Sequence, residues 1–257
     1  MEKITDKKTI GSVIKAMEIM ELLASSNEEI GATEISQKLN YGVSATYHLL
    51  ATLKLCKMIE QNTRTKKYRL GIKLWKIGKM AREQNPLAPL IQPYLKKLRE
   101  LTDETANLTI LDNGEIVYIA QDESTRLVRM FTKIGARIPL HCSAAGKVLL
   151  AYQPKEKQDA VIATLKFEKF TDQTVTDPER LTQELKMIRE SGYAFDNEER
   201  ELGVSCVAAP IFDLDGEAIA AISISGPSER FSLSNREHFI EHVLEITKEV
   251  SIQFKNQ

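Results

Sequence analysis

The stretch IPLHCSAAGK, residues 138–147, holds His141, Cys142, Ser143 and Lys147 close together. These are the side-chain types of a nucleophile, its base and a phosphate ligand, and each chemistry sets a spacing condition. A phosphate-binding loop needs GxxxxGK followed by Ser or Thr. Here His141 stands where the first glycine should be and Val148 follows Lys147, so both ends of the motif fail. A Cys–His nucleophile pair would draw on His141 with Cys142 or Cys206. Cys206 lies in the apolar run SCVAAPIF, where a cysteine is more often an inert small hydrophobe. No GxSxG nucleophile elbow is present. HFIEH, residues 238–242, fits the HxxEH zinc-peptidase pattern. However, Phe239, Val243, Ile246 and Val250 set the apolar stripe of that helix and leave His238 and His242 mainly on its polar side.

What remains for residues 138–147 is reception. Ser143 is a natural N-cap for a helix beginning at Ala144, and Ala144, Ala145 and Gly146 keep its first turn free of bulk. A ligand could approach the free N–H groups there, and the helix dipole favours a carboxylate or other small anion. Plain helix packing uses the same small residues, so spacing alone leaves the two readings level.

The elements that must position this stretch fall into two charge regimes. The chain has 257 residues, enough for two ordinary domains, and its 42% hydrophobic content supports packed cores. Its net charge of −1 conceals an asymmetry: residues 1–85 hold 15 Lys/Arg against 9 Asp/Glu, and residues 86–257 hold 20 against 27. Between 45 and 82, ten basic residues face a single acid, Glu60. A basic head on an acidic body suggests that the head meets a polyanion. No run of 18 apolar residues occurs, MEKITDKKTIGS lacks a signal-peptide core, and three scattered cysteines do not make a disulfide framework. The expectation is a cytoplasmic protein with no membrane association and no cofactor or metal.

In the head, Val13, Ile14, Met17, Ile19, Met20 and Leu23 predict a helix over about 10–24. Residues 33–39 form a second, Asn40-Tyr41-Gly42 a turn, and VSATYHLLATLKL a third helix burying Leu49, Leu50 and Leu53. This is a helix-turn-helix, whose second helix normally enters the major groove N-terminus first. Val43, Ser44, Thr46, Tyr47 and His48 would then face bases or phosphates. Strands at 58–60 and 68–70 around Asn62-Thr63-Arg64-Thr65 make a basic wing, with Arg64, Lys66 and Lys67 placed along the minor groove. The basic amphipathic segment 72–85, carrying Trp75, reads as a linker helix that pairs with its copy in a dimer.

From residue 86 the pattern is mixed. A helix precedes two β-rich runs around Asp112-Asn113-Gly114, and RLVRMFTKI, residues 126–134, reads as a third strand. Helices follow at SAAGKVLLAY, PKEKQDAVIATL and DPERLTQELKMIRESG, the last with Asp177 as N-cap and Gly192 past its end. Two strands flank Asp215-Gly216, and a terminal helix starts near Ser234. The sum is an α+β domain with a mostly antiparallel sheet.

Taken together, the N-terminal unit, GARIPLHCSAAGKVLLA, AAISISGP and GYAFDNEERELGVSCVAAPIFD closely resemble the isocitrate lyase regulator (IclR) family of bacterial transcription factors. The last segment matches at Gly192, Asp196, Glu199, Cys206-Val207-Ala208 and Ile211-Phe212-Asp213. The resemblance implies a winged helix-turn-helix domain (residues 1–71), a linker helix (72–85) and a GAF-like effector-binding domain (86–257). It also implies homodimers or homotetramers, double-stranded operator DNA as partner, and a pocket for a small carboxylate effector. Carried over by motif, the pocket residues are Ala144, Ala145, Asp196, Cys206, Ser223 and Ser225. The family's recognition helices commonly carry Ser-Thr and Arg where this chain has Ser44-Ala45 and His48, which bears on base preference. IGATEISQKL and DNEE are most similar to regulators of sugar-acid catabolism. The expectation is a ligand-responsive repressor of a catabolic operon. The competing readings are a metal- or cysteine-dependent hydrolase with a DNA-targeting head, and a protein-interaction module without DNA affinity. On the receptor reading, His141 braces the loop before the helix and Lys147 faces solvent after it.

Overall fold

The computed structural model describes residues 9–84 and 87–255, and the chain divides into two compact units, 1–85 and 86–257. The junction expected at Asn85-Pro86 lies outside the described residues.

The first unit packs helices α1 (Gly11–Ser25), α2 (Ala32–Leu39) and α3 (Val43–Leu55) against a hairpin of β1 (Ile59–Gln61) and β2 (Tyr68–Leu70). Its core is the apolar side of each element: Ile19, Met20 and Leu23, then Ile35, then Leu50 and Leu53, closed by Ile59 and Tyr68. Asn40 ends α2 in the left-handed region (φ 53), which asparagine tolerates and which turns the chain sharply into α3. The hairpin turn is built by Asn62, whose Oδ1 accepts from the N–H groups of Arg64 and Thr65 at 3.0 and 3.2 Å. Helix α4 (Ile72–Gln84) follows at once. Gly71 permits this entry, since a Cβ there would lie 2.5 Å from the Lys57 carbonyl oxygen.

The second unit is a six-stranded antiparallel sheet in the order β5-β4-β3-β8-β7-β6. Its strands are β3 (Thr105–Asp112), β4 (Glu115–Asp122), β5 (Arg137–Pro139), β6 (Ala194–Asn197), β7 (Val204–Phe212) and β8 (Ala218–Pro227). Because strand side chains alternate, the sheet has two interiors. Val207, Ala209, Ile211, Ile222, Ile224 and Leu108 pack under α5 (Leu87–Thr102) and α9 (Leu233–Lys255). Ala194, Ala208, Ala221 and Tyr118 pack under α6 (Ala144–Ala151) and α8 (Pro178–Ser191), with α7 (Lys155–Thr164) beside them. The small residues on this second face let α6 lie close to the strands.

Two features depart from the sequence expectation. Residues 126–134 are not a strand: this segment is irregular, and the third pairing partner is the shorter β5. Leu127 is 98% exposed, and the arginines of the run pair with acids, Arg126 with Asp103 and Arg129 with Glu123. The loop is held instead by side chains. The Thr105 hydroxyl donates to the Met130 carbonyl at 3.1 Å, and Thr132 donates to Asn107 Oδ1 at 2.8 Å. The second departure is β6, an edge strand in GYAFDN where the sequence pattern predicts none.

Candidate functional site

Helix α6 begins as its sequence requires. Ser143 Oγ accepts from the Gly146 N–H at 3.2 Å, and the Lys147 N–H reaches the Ser143 carbonyl. Ala144 and Ala145 occupy the first two helical positions, whose N–H groups have no intrahelical acceptor. Gly146 is dictated by approach: a Cβ there would lie 2.5 Å from the Leu140 carbonyl oxygen, in the short 3-10 turn Leu140–Cys142.

The strands bring the other residues to this helix start. Register places Asp196 opposite Cys206, Cys206 opposite Ser225 and Ser225 opposite Thr105, one continuous row across four strands. The next row is Ala194, Ala208, Ser223 and Asn107. Both rows face α6. Between helix and sheet lies a small cavity of about 40 Å³ lined by Ala145, Asp196, Cys206 and Ser225, with Ser143, Tyr118 and Arg200 among its other walls. Ala144 and Ser223 are buried beside it and do not line it. Ser225 accepts from Asn107 Nδ2 at 2.9 Å, which leaves its own hydroxyl hydrogen to be donated elsewhere.

Asp196 is buried, and its Oδ1 accepts from the Glu199 N–H at 2.8 Å. Burial, then the neighbouring Glu199 charge, raise its carboxyl to about 7. Burial pushes the Cys142 thiol up to about 12 and raises Cys206 as well. His141 is shifted down by burial, and its neutral ring donates from Nε2 to the Glu168 carbonyl at 2.9 Å. It also packs against Phe167 and Phe170, so it braces the 165–177 loop.

Lys147 departs most from expectation. It does not face solvent: it is 2% exposed, with Nζ 2.6 Å from Glu199 Oε1 and 3.0 Å from Glu184 Oε2. Burial acts to lower its pKa, but the two carboxylates outweigh that and the net shift is upward, so it stays charged. The ion pairs clamp α6 to α8 and to the β6–β7 connection. An i, i+4 or motif search misses them because Glu199 lies 52 residues away.

The head presents a separate face. Val43, Ser44, Tyr47 and His48 are exposed at the start of α3, and Arg64, Lys66 and Lys67 are exposed on the hairpin. Thr46 is not among them. It is buried, and its hydroxyl donates back to the Gly42 carbonyl at 3.1 Å, so it braces the helix start. Arg69 pairs with Glu60, whereas Arg64, Lys66 and Lys67 have no acidic partner among the described residues. Three unpaired cations on one hairpin suit phosphate contact. The HFIEH residues make no centre: His238 and His242 touch at 2.9 Å on α9, and no group of three metal-binding side chains occurs among the described residues. No described helix is long and apolar enough to cross a membrane.

A helix-turn-helix unit with a basic hairpin, followed by an α+β unit with a small, mainly apolar cavity that a few polar groups enter, defines a DNA-binding regulator that answers to a ligand. Comparison with known proteins narrows this class. The IclR helix-turn-helix domain matches residues 12–63, and the C-terminal domain of bacterial transcriptional regulator IclR matches residues 80–252. The chain is 37% identical over 246 residues to the HTH-type transcriptional regulator BhcR of Paracoccus denitrificans, covering 96% of this chain and 88% of that one. It is 35% identical to the HTH-type transcriptional regulator KdgR of Escherichia coli, covering 95% and 93%. The crystal structure of Thermotoga maritima IclR superposes with a TM-score of 0.79 at 30% identity, over 96% of this chain and all of that one. The chain belongs to the IclR family: it is a ligand-responsive transcriptional regulator of catabolic genes.

Proposed function

We propose that the protein is a cytoplasmic repressor that holds operator DNA through α3 and the hairpin and releases it on binding a small organic acid. The observation that carries the effector half is the convergence of the α6 start with the Asp196–Cys206–Ser225 row on one enclosed space. The carboxylate sits on the N–H group of Ala145, with that of Ala144 reached as the space widens, and hydroxyl or keto oxygens turn toward Ser225 and Cys206, with Ser223 buried beside them. Asp196, protonated or accepting from a ligand hydroxyl, completes the cradle. The names of two relatives, the transcriptional repressor IclR of Escherichia coli and the acetate operon repressor of Salmonella typhimurium, agree with repression. An IclR homologue from Microbacterium hydrocarbonoxydans, 22% identical, was crystallised with 4-hydroxybenzoate, which is a small carboxylate. A sugar acid offers the same chemistry, with several hydroxyls for the serine row, and would require the space of about 40 Å³ to widen on binding.

The GAF-like effector domain spans 86–257, and α4 serves as the linker. Its apolar residues Ile72, Trp75 and Met80 are exposed in the single chain, as are Val13 and Met17 on α1, which supports a dimer, or a tetramer of paired dimers, that covers them. On DNA the reading residues are Ser44, Tyr47 and His48, with Arg64, Lys66 and Lys67 on phosphates. The test is calorimetric titration of small acids into the full protein, with duplex binding measured in parallel. Ala145→Leu should abolish acid binding and leave ligand-free DNA affinity unchanged. Acid binding that survives this change would place the pocket elsewhere.

A further inference from the structure

Arg200 is the cation of this pocket, and no motif pointed to it. It lies in the β6–β7 connection and lines the same cavity as Ala145, Asp196, Cys206 and Ser225. Its guanidinium has no carboxylate and no hydrogen-bond acceptor among the described residues, whereas Arg99, Arg137 and Arg230 in the same unit are all paired with acids. It is not loose, however. The guanidinium carbon sits 3.7 Å from the centre of the Phe170 ring, a cation–π seat.

That seat is itself held on two sides. The His141 ring packs against Phe170. The Thr171 hydroxyl donates to the Glu198 carbonyl and that of Thr174 to the Glu199 carbonyl, each at 2.6 Å, tying the Phe170 loop to the backbone just before Arg200. Of the two acids that flank it in sequence, Glu199 is occupied by Lys147, and Glu201, which lines the same cavity, makes no ion pair with Arg200. The architecture therefore keeps a positioned and unpaired guanidinium at the cavity. Its planar fork matches a carboxylate through two parallel hydrogen bonds.

We infer that Arg200 is the anion receptor of the effector pocket, pairing with the ligand's carboxylate beside the α6 start, and that Phe170 and His141 hold it in place. This rests on the pocket proposed above and changes its selectivity. A helix start with neutral walls accepts any polar acceptor, such as an amide. A pocket with Arg200 discriminates by charge, so acids bind and their amides do not. The far wall agrees: Ser225 has a hydroxyl hydrogen to give, and Asp196 Oδ2 has no partner among the described residues, so the ligand's other end is a hydroxyl or keto oxygen and not a second carboxylate.

The test is thermal-shift titration of the full-length protein with pyruvate, D-gluconate and 4-hydroxybenzoate, each beside its amide. At least one acid should stabilise the wild type, and its amide should bind about tenfold or more weakly. Arg200→Gln should lose about tenfold or more in affinity for the acid while leaving the amide unchanged, Arg200→Lys should recover part of the loss, and Phe170→Leu should cost less than Arg200→Gln. Acid affinity unchanged in Arg200→Gln but lost in Ala145→Leu would overturn the role of Arg200 and leave the pocket standing. Acid affinity unchanged in both would overturn the pocket too, as would a wild type that none of the acids stabilises.

Discussion

Replacing Lys147 by methionine tests the clamp that holds the α6 start against the β6–β7 connection. Methionine keeps the length and apolar stem of lysine and removes only the ammonium. Glu199 is then left with its side chain 7% exposed and no cation, its Oε2 already lacking a partner in the native arrangement. Removing one member of a buried pair costs about 3–5 kcal/mol, mostly because the remaining charge stays desolvated. In a domain of this size each kcal/mol moves the midpoint about 2–4 °C, so the effector unit should melt about 10 °C lower. Scanning calorimetry of the full chain is the assay; the single tryptophan, Trp75, lies in the other unit and would not report this transition. Two controls isolate the cause. In Lys147→Met, Glu199 can escape its burial by taking a proton, so the deficit should shrink as the pH is lowered toward 5. Adding Glu199→Gln should restore part of the loss at pH 7, a coupling seen as non-additivity in the double-mutant cycle. A Lys147→Met midpoint within a degree or two of wild type, unchanged by the second substitution, would refute the reasoning.

Asp196, raised by burial to about 7, binds a proton in the folded state that the unfolded chain releases near its ordinary 3.8, so stability falls as pH rises between those values and is flat above. Asp196→Asn keeps the acceptor for the Glu199 N–H and should flatten that slope, which is about 1.4 kcal/mol for each pH step of one within that window; urea midpoints at several pH values give the comparison. Lys66→Ala with Lys67→Ala should weaken binding to every duplex and lower the salt slope by about 1 for each phosphate no longer neutralised, measured by anisotropy; a salt slope equal to wild type would remove the wing from the interface. Gly146→Ala drives a Cβ into the Leu140 backbone and should cost about 1–3 kcal/mol in the melting of the effector unit, whereas Gly114→Ala, with open space around it, should strain only its positive φ.

The parts of this fold that were legible in the sequence are those set by local rules. Asp177 before Pro178, Gly192 after Ser191 and Ser143 before the small-residue turn mark helix ends through their own side chains or backbone freedom, and the structure uses each in that role. What failed were inferences requiring a partner distant in sequence. The run from Arg126 to Ile134 has the apolar content of a strand, but it is tied to Thr105 and Asn107 by side-chain hydrogen bonds, partners that its own sequence does not reveal. Lys147 follows the site and looks like a solvated lysine until α8 and the β6–β7 connection fold over it. Thr46 sits among outward-facing residues in the one-letter string, and only the turn of α3 shows that its hydroxyl returns to Gly42. Arg200 carries no motif, since nothing local distinguishes an arginine on a loop from one aimed at a pocket.

The same geometry answers why a stretch with a cysteine, a histidine, a serine and a lysine does not catalyse. A nucleophile must be ionised or have its base in reach. With its thiol near 12, Cys142 is thiolate in only about one molecule in 100,000 at pH 7, and Cys206 is shifted the same way. His141 gives its Nε2–H to the Glu168 carbonyl, and its Nδ1 is buried without a partner, so no path leads from it to either sulfur or to Ser143. The Ser143 hydroxyl is taken up in capping α6. Lys147 is locked between two carboxylates. Each reactive side chain is held in its unreactive form by the contact that shapes the pocket. The burial that silences the thiols would also strengthen the proposed contact of Arg200 and the α6 N–H groups with an anion, since a charge–charge contact away from water is stronger than in it. On the proposed function, a site built this way would bind an acid and return it unchanged.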